Sequence, residues 1–298
     1  MRQLFLLFGL LAGLPVFAAP LNVFATVPEW GALAREIGGD KVNVFVATHG
    51  LQDPHRIDAK PSLIARVRNA DLVVATGADL ESGWLPVVLR ESGNARVRLG
   101  APGHFEAARL VAMLEVPTRL DRADGDVHAE GNPHVQTDPR NILKVGEALA
   151  ARMAQLDAAN AASYRANFQA FAARWQANIA RWEKAAAPLR GLPVAVQHKS
   201  LSYLVAWLGL REVATLEPRP GVEASAGHLA DLLQRARAQS PRMVLRAAYE
   251  SPRAAEWYAR EARVPLVVLP FTVGGSDAAR DLASLFDDTL ARLVQSAK

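Results

Sequence analysis

The chain has 298 residues, of which 50% are apolar and 21% charged, with a formal net charge of +4. That length can bury a substantial core and favours two domains over one, while the mild positive excess shows no basic patch interleaved with exposed aromatics and so gives nucleic-acid binding no support. There is no cysteine, which excludes disulfide staples, thiolate metal ligands, a cysteine nucleophile and a lipid-modified N-terminal cysteine.

Residues 1–18 read as a cleavable signal peptide. Arg2 is a positive n-region, 4–14 an apolar h-region, and Val16, Phe17 and Ala18 precede a cleavage point after Ala18 or Ala19. Gly13 and Pro15 interrupt the run, which is too short to span a bilayer, so the mature chain is expected to be exported. From there LNVFA (21–25) reads as a strand, 29–37 as a helix ending at Gly38 and Gly39, and 42–47 as a second strand that delivers the chain to the loop THGLQDPH (48–55). A helix over 61–69 and a strand DLVVAT (71–76) follow. This is the strand-helix grammar of a largely parallel, doubly covered sheet. Residues 80–89 look helical, with Trp84 on the apolar side, and 95–99 look like a strand.

Residues 117–134 are polar and aperiodic, a loop of the kind on which binding groups sit. Helices are expected over 141–156 and, capped by Asp157, over 158–187. The second carries Tyr164, Phe168, Phe171, Trp175, Ile179 and Trp182 at spacings of three and four, a stripe read as packing. Thirty residues at 1.5 Å rise make a rod of about 45 Å, long enough to brace two lobes. After Pro188 the grammar restarts: strand 193–197, helix 200–208, a short extended 213–216, helix 227–238, strand 243–247, helix 252–262, strand 264–269, and a helix over 277–294 with an early break near Ala279. The organisation expected is therefore an N-terminal lobe (19–138), a helical connection (139–187) and a C-terminal lobe (188–298).

The chain has seven histidines. His55 closes the loop after the second strand, and His134 lies in GNPHVQTDP (131–139), where Asp138 can cap a helix and Pro139 suits its first position. His198 directly follows the first strand of the second lobe. Ligands gather at the carboxyl ends of parallel strands, so one site is expected to draw on both lobes, and three neutral imidazoles with an oxygen donor or water suit Zn²⁺. The spacing is irregular, and unrelated loop histidines are the competing reading. His49, His104 and His228 read as surface or helix-start groups, Arg246 and Arg253 as surface salt-bridging residues. Asp124, Asp126, His128 and Glu130 read as a solvated acidic loop or a weak second metal site.

Taken in order, DPH (53–55), GNPHVQTDP (131–139) and QHKSLSYLVAWLGL (197–210) resemble the metal-binding segments of the periplasmic solute-binding proteins of zinc and manganese ABC transporters. The resemblance covers essentially the entire mature chain. It implies an α/β fold of two similar lobes, each a mostly parallel sheet flanked by helices, joined by a long rigid helix with the metal held between the lobes. It also implies His55, His134 and His198 as metal ligands. Many members add a carboxylate after the last buried strand, in a segment resembling LDP. Here the segment reads LPF (269–271) and continues TVGG, so the matching acid is absent, and water, Glu223, Glu250 or Asp277 stand as alternatives. Gln136 and Thr137 replace the larger or aromatic residue and the apolar residue often found there, which alters the surroundings of His134 without removing the ligand.

The function expected is capture of a divalent transition metal by a monomeric, non-enzymatic receptor that hands it to an ABC permease. A nitrogen-rich site favours Zn²⁺ over the more oxygen-seeking Mn²⁺, and a chelated metal is a further possible cargo. The alternative is a secreted zinc-dependent hydrolase using an open fourth position for an activated water, for which no HExxH-like helix is present.

Overall fold

The computed structural model describes residues 19–118, 128–236 and 239–298. The expected signal peptide, Asp124 and Asp126, and the end of the helix anticipated to Ala238 lie outside the described residues. Two four-stranded parallel sheets carry the fold. The first has β1 (Leu21–Ala25), β2 (Val42–Val46), β3 (Leu72–Ala75) and β4 (His104–Glu106) in the order β2-β1-β3-β4. The second has β5 (Pro193–Val196), β6 (Arg211–Thr215), β7 (Met243–Ala247) and β8 (Leu266–Leu269) in the order β6-β5-β7-β8. The two halves therefore share one topology without evident sequence repetition. The central strands β3 and β7 are buried at every position, as continuous apolar runs covered by helices on both faces must be.

Eight of the nine α-helices among the described residues fall where hydrophobic periodicity places them, within a few residues: α1 (Pro28–Gly38), α2 (Pro61–Arg68), α4 (Pro139–Leu156), α5 (Ala161–Ala186), α6 (Ser202–Leu208), α7 (Ala226–Arg235), α8 (Arg253–Ala262) and α9 (Leu282–Ser296). The remaining helix, α3, spans Leu85–Ser92 rather than 80–89. The residues before it form turns, Ala78 and Asp79 at positive φ among them, and within a helix Pro86 is tolerated only in the first turn. The strand expected over 95–99 is also absent. Asn94 accepts a hydrogen bond from the Arg96 N–H and donates to the carbonyls of Val67 and Ala70, which winds Ala95–Val97 into a 3-10 turn. The edge strand is β4 instead, and His104 lies within it between the Val97 carbonyl and Glu106. α9 begins at Leu282 because Asp281 and Ser284 form a reciprocal capping box.

At 26 residues, α5 is about 39 Å long and binds both halves. Towards the first, Asn167 donates to the Ile37 carbonyl and the Trp175 indole to the Pro139 carbonyl. Towards the second, Trp175 and Trp182 pack on Phe286 of α9, and the Trp182 indole donates to Asp287. Of the aromatic stripe, Tyr164, Phe171, Trp175 and Trp182 are buried, while Phe168 and Ile179 are half-buried. One cluster of buried side chains runs continuously from Val23 and Val74 through this helix to Val196 and Leu245, so the halves share a core. Between them, at the carboxyl ends of the strands, the loops nearly touch: a Cβ on Gly50 would strike the backbone of Gly274 and Gly275.

Candidate metal centre

His55 and His134 are presented by the same three-residue device. In Asp53-Pro54-His55, the Asp53 Oδ1 accepts the backbone N–H of His55 at 3.0 Å and lies 2.8 Å from its Nδ1. In Asn132-Pro133-His134, the Asn132 Oδ1 accepts the His134 N–H at 3.0 Å and again lies 2.8 Å from Nδ1. Proline fixes the intervening φ, and an Asx side chain reaches the backbone two residues on, so each imidazole is oriented by its own neighbours. The amide of Asn132 is itself committed. Its Nδ2 donates to Glu115 at 2.8 Å and to the Lys199 carbonyl at 2.7 Å, which leaves Oδ1 facing the ring and makes the Nδ1–H tautomer of His134 the one that satisfies both partners.

His198 follows β5, at the point where the strand order of the second sheet reverses, the position at which open α/β sheets receive ligands. Its Nδ1 lies 2.7 Å from the Glu217 carboxylate, which is brought in from beyond β6. In all three rings Nδ1 is thus tied to an oxygen. This is the arrangement that metal-binding histidines use to hold Nε2 outward as a lone-pair donor. The Nε2 atoms of His55 and His134 are buried without a hydrogen-bond partner, a costly state for a polar atom unless something else engages it.

The rings gather in one place. The His134 centroid is 5.3 Å from that of His55 and 5.6 Å from that of His198, and His55 and His198 are 6.3 Å apart. With Nε2 about 2.0 Å from a zinc ion and each centroid about 1.2 Å behind it, a tetrahedral shell places centroids about 5 Å apart. The observed cluster is therefore somewhat open, and no three such groups among the described residues stand at coordination geometry in this conformation. A cavity of about 340 Å³ adjoins the cluster, lined by His134, His198, His128 and Asn132 among others.

The electrostatics suit a cation. Burial, reinforced by the neighbouring imidazoles of His55, His198 and His128, holds His134 well below the ordinary histidine range, so its ring is neutral and ready to donate at neutral pH. Burial pulls His198 down too, but the hydrogen bond and charge of Glu217, with Glu250 and Asp53 beyond, outweigh it and leave this ring above the usual value. Burial raises the Glu250 carboxyl.

Of the alternatives for a fourth ligand, Glu223 and Asp277 are exposed. Glu250 is close enough to influence His198, but its two oxygens accept from the Ser200 hydroxyl at 2.7 Å and the Ala247 N–H at 3.0 Å. In LPF the ring of Phe271 packs 5.8 Å from that of His134 and 5.0 Å from that of Tyr249. His128 departs from the loop reading: it is half-buried, with its ring stacked 5.4 Å from that of His55 and 6.4 Å from that of His134, while Glu130 is exposed. Arg246 is buried rather than on the surface, donating to the carbonyls of Ala247 and Glu250. Gln136 is buried and Thr137 donates to the His134 carbonyl. His49 and Arg253 are exposed. Sequence reasoning missed the orienting roles of Asp53, Asn132 and Glu217; the repeated Asx-Pro-His was the available signal for the first two.

The family described as ZnuA, zinc-uptake complex component A, periplasmic, matches residues 23–296. The chain belongs to this family. Among curated relatives it is 22% identical over 215 residues to the zinc-binding lipoprotein AdcA of Streptococcus pneumoniae, covering 72% of this chain but 42% of that protein. It is 24% identical over 251 residues to the high-affinity zinc uptake system protein ZnuA of Paracoccus denitrificans, covering 73% of each. The matched region thus spans less than half of the pneumococcal relative's length. A crystal structure of ZnuA superposes with a TM-score of 0.77 at 22% identity, covering 94% of this chain and 100% of that one. A cadmium-bound periplasmic metal-binding protein from Candidatus Liberibacter asiaticus also gives 0.77, at 18% identity, covering 93% and 100%. At these identities the structural matches establish the shared two-lobed α/β fold.

Proposed function

We propose that this protein is a periplasmic, non-enzymatic receptor that captures a divalent transition metal between its two sheets and delivers it to the permease of an ABC transporter, with Zn²⁺ preferred over Mn²⁺. The Nε2 atoms of His55, His134 and His198 bind the cargo. The observation that carries the reading is the convergence of these three rings from both halves of the molecule, each with Nδ1 tied to an oxygen acceptor. Membership of the zinc-uptake family and the zinc-binding relatives support it. Imidazole nitrogen favours zinc, whereas manganese favours oxygen-rich sites. The expected signal peptide supports export.

Isothermal titration tests the reading. One tight Zn²⁺ site is expected, lost on replacing His55, His134 or His198 with alanine and weakening as pH falls through the histidine range near 6.5, because protons compete for the same nitrogens. Full affinity in all three variants rejects the assignment, and zinc-dependent turnover of ester, amide or phosphate substrates would point to a hydrolase.

A further inference from the structure

Three imidazoles leave one position of a tetrahedral zinc shell unassigned. Resting on the metal-receptor function of that site, we propose that His128 supplies the fourth ligand, closing an all-imidazole shell that selects Zn²⁺ against Mn²⁺.

The His128 ring stands beside those of His55 and His134. It lies 5.4 Å from His55 at an interplanar angle of 27° and 6.4 Å from His134 at 81°, and it lines the cavity that His134 and His198 line. These separations exceed a tetrahedral spacing of about 5 Å by no more than the His55–His198 pair does, to within about 0.1 Å. The backbone holds it there. Gly131, at φ +108, folds the chain back so that its N–H donates to the His128 carbonyl, while the Ala129 N–H donates to Asp79. A Cβ on Gly131 would come within 2.8 Å of the Leu114 carbonyl, so this turn requires glycine. His128 thus enters the cleft from a pinned turn six residues upstream of His134.

The carboxylates considered for this position do not reach the cluster. Both Glu250 oxygens hold their own half together through Ser200 and Ala247, Glu223 and Asp277 face solvent, and Phe271 walls the side of His134. A shell of four neutral nitrogens carries no charge of its own. Two carboxylates stand directly behind it, Asp53 on the Nδ1 of His55 and Glu217 on the Nδ1 of His198, and together they balance a dication from behind the rings that hold it. Such a shell offers Mn²⁺ none of the oxygen it prefers.

The experiment compares wild type, His128→Ala, Glu250→Gln and His134→Ala, with Zn²⁺ and Mn²⁺ affinities measured by competition against a chromophoric chelator and folding checked by circular dichroism. The Co²⁺-loaded proteins add a visible spectrum that reports coordination number and donor type. His128→Ala is expected to lose at least about 100-fold in Zn²⁺ affinity, the upper end of what an orienting partner alone carries, to lose its preference over Mn²⁺, and to alter the Co²⁺ bands. Unchanged zinc affinity and Co²⁺ spectrum in a folded His128→Ala, with binding abolished in His134→Ala, overturns the proposal while leaving the three-histidine site standing. Loss confined to Glu250→Gln overturns it in favour of a carboxylate. Failure of wild type to bind Zn²⁺ at all rejects the functional reading itself.

Discussion

Asn132 is the residue whose replacement separates binding from folding most clearly. Its Oδ1 serves both the backbone N–H and the Nδ1 of His134, and its Nδ2 joins Glu115 to the Lys199 carbonyl in the other half. Asn132→Ala removes all four contacts. Loss of the acceptor behind a metal-binding histidine typically costs ~10–100-fold in affinity, or about 1.4–2.8 kcal/mol at 1.4 kcal/mol per decade. The buried His134 N–H left without a partner costs about 1–3 kcal/mol of stability. Asn132→Asp is the informative companion, because it recreates the Asp-Pro-His of residues 53–55. It keeps the acceptor for His134, so zinc affinity should stay within about threefold of wild type, well short of the ~10–100-fold loss in the alanine variant. Yet it places a second carboxylate against Glu115, where the wild-type contact is 2.8 Å, and it should unfold at lower temperature than wild type. Chelator competition and thermal melts on both variants read the two effects separately. If Asn132→Ala binds zinc as tightly as wild type, the orienting role assigned to the Asx-Pro-His device is wrong.

Three further outcomes are expected from the same geometry. Phe271→Asp places an oxygen beside His134 at a position whose φ of +62 aspartate tolerates better than phenylalanine; it should narrow the Zn²⁺/Mn²⁺ affinity ratio by about tenfold while costing about 3 kcal/mol or more through loss of a buried ring, and an unchanged ratio counts against metal contact at this position. Glu29 is buried, accepts a hydrogen bond from Thr272 across the two halves, and is raised by burial to about 7 from 4.5. An acid raised in the folded state costs stability as pH climbs from its unfolded value through its folded one, so wild type should lose up to about 3 kcal/mol between pH 4.5 and 7 (2.5 units at 1.36 kcal/mol each). Glu29→Gln, which keeps an acceptor for Thr272, should remove that slope in denaturant melts at a series of pH values. Gly50→Ala drives a methyl group into the backbone of Gly274 and Gly275 and should push the two halves apart, detectable as a larger radius of gyration in solution scattering; identical profiles would mean that the loops shift freely.

The strand-helix alternation, both halves and the bridging helix were legible because they depend on local periodicity. Apolar runs such as LVVA and MVLRA can settle only in a doubly covered parallel sheet, and the stripe of Tyr164, Phe171, Trp175 and Trp182 has only a helix on which to share a face. The misplaced strand is one that a distant contact decides. The segment over 95–99 alternates like a strand, yet Asn94 reaches back to Val67 and Ala70 and winds it into a turn. Nothing in the local pattern announces that bond.

The amino-acid sequence by itself determined the class of fold and singled out the three histidines His55, His134 and His198, since each lies in a loop after a strand or just before a helix, where local signals are strong. Only the tertiary structure decided what surrounds them. Asp53 and Asn132 lie two residues from the rings they orient, but Glu217 is 19 positions from His198 and His128 meets His55 across a separation of 73 positions. Such pairs carry no periodic or compositional mark, because they are created by the packing of distant segments on one another. For the same reason the absent acid near Pro270 could be seen in the sequence, whereas the stacking of His128 on His55 could not.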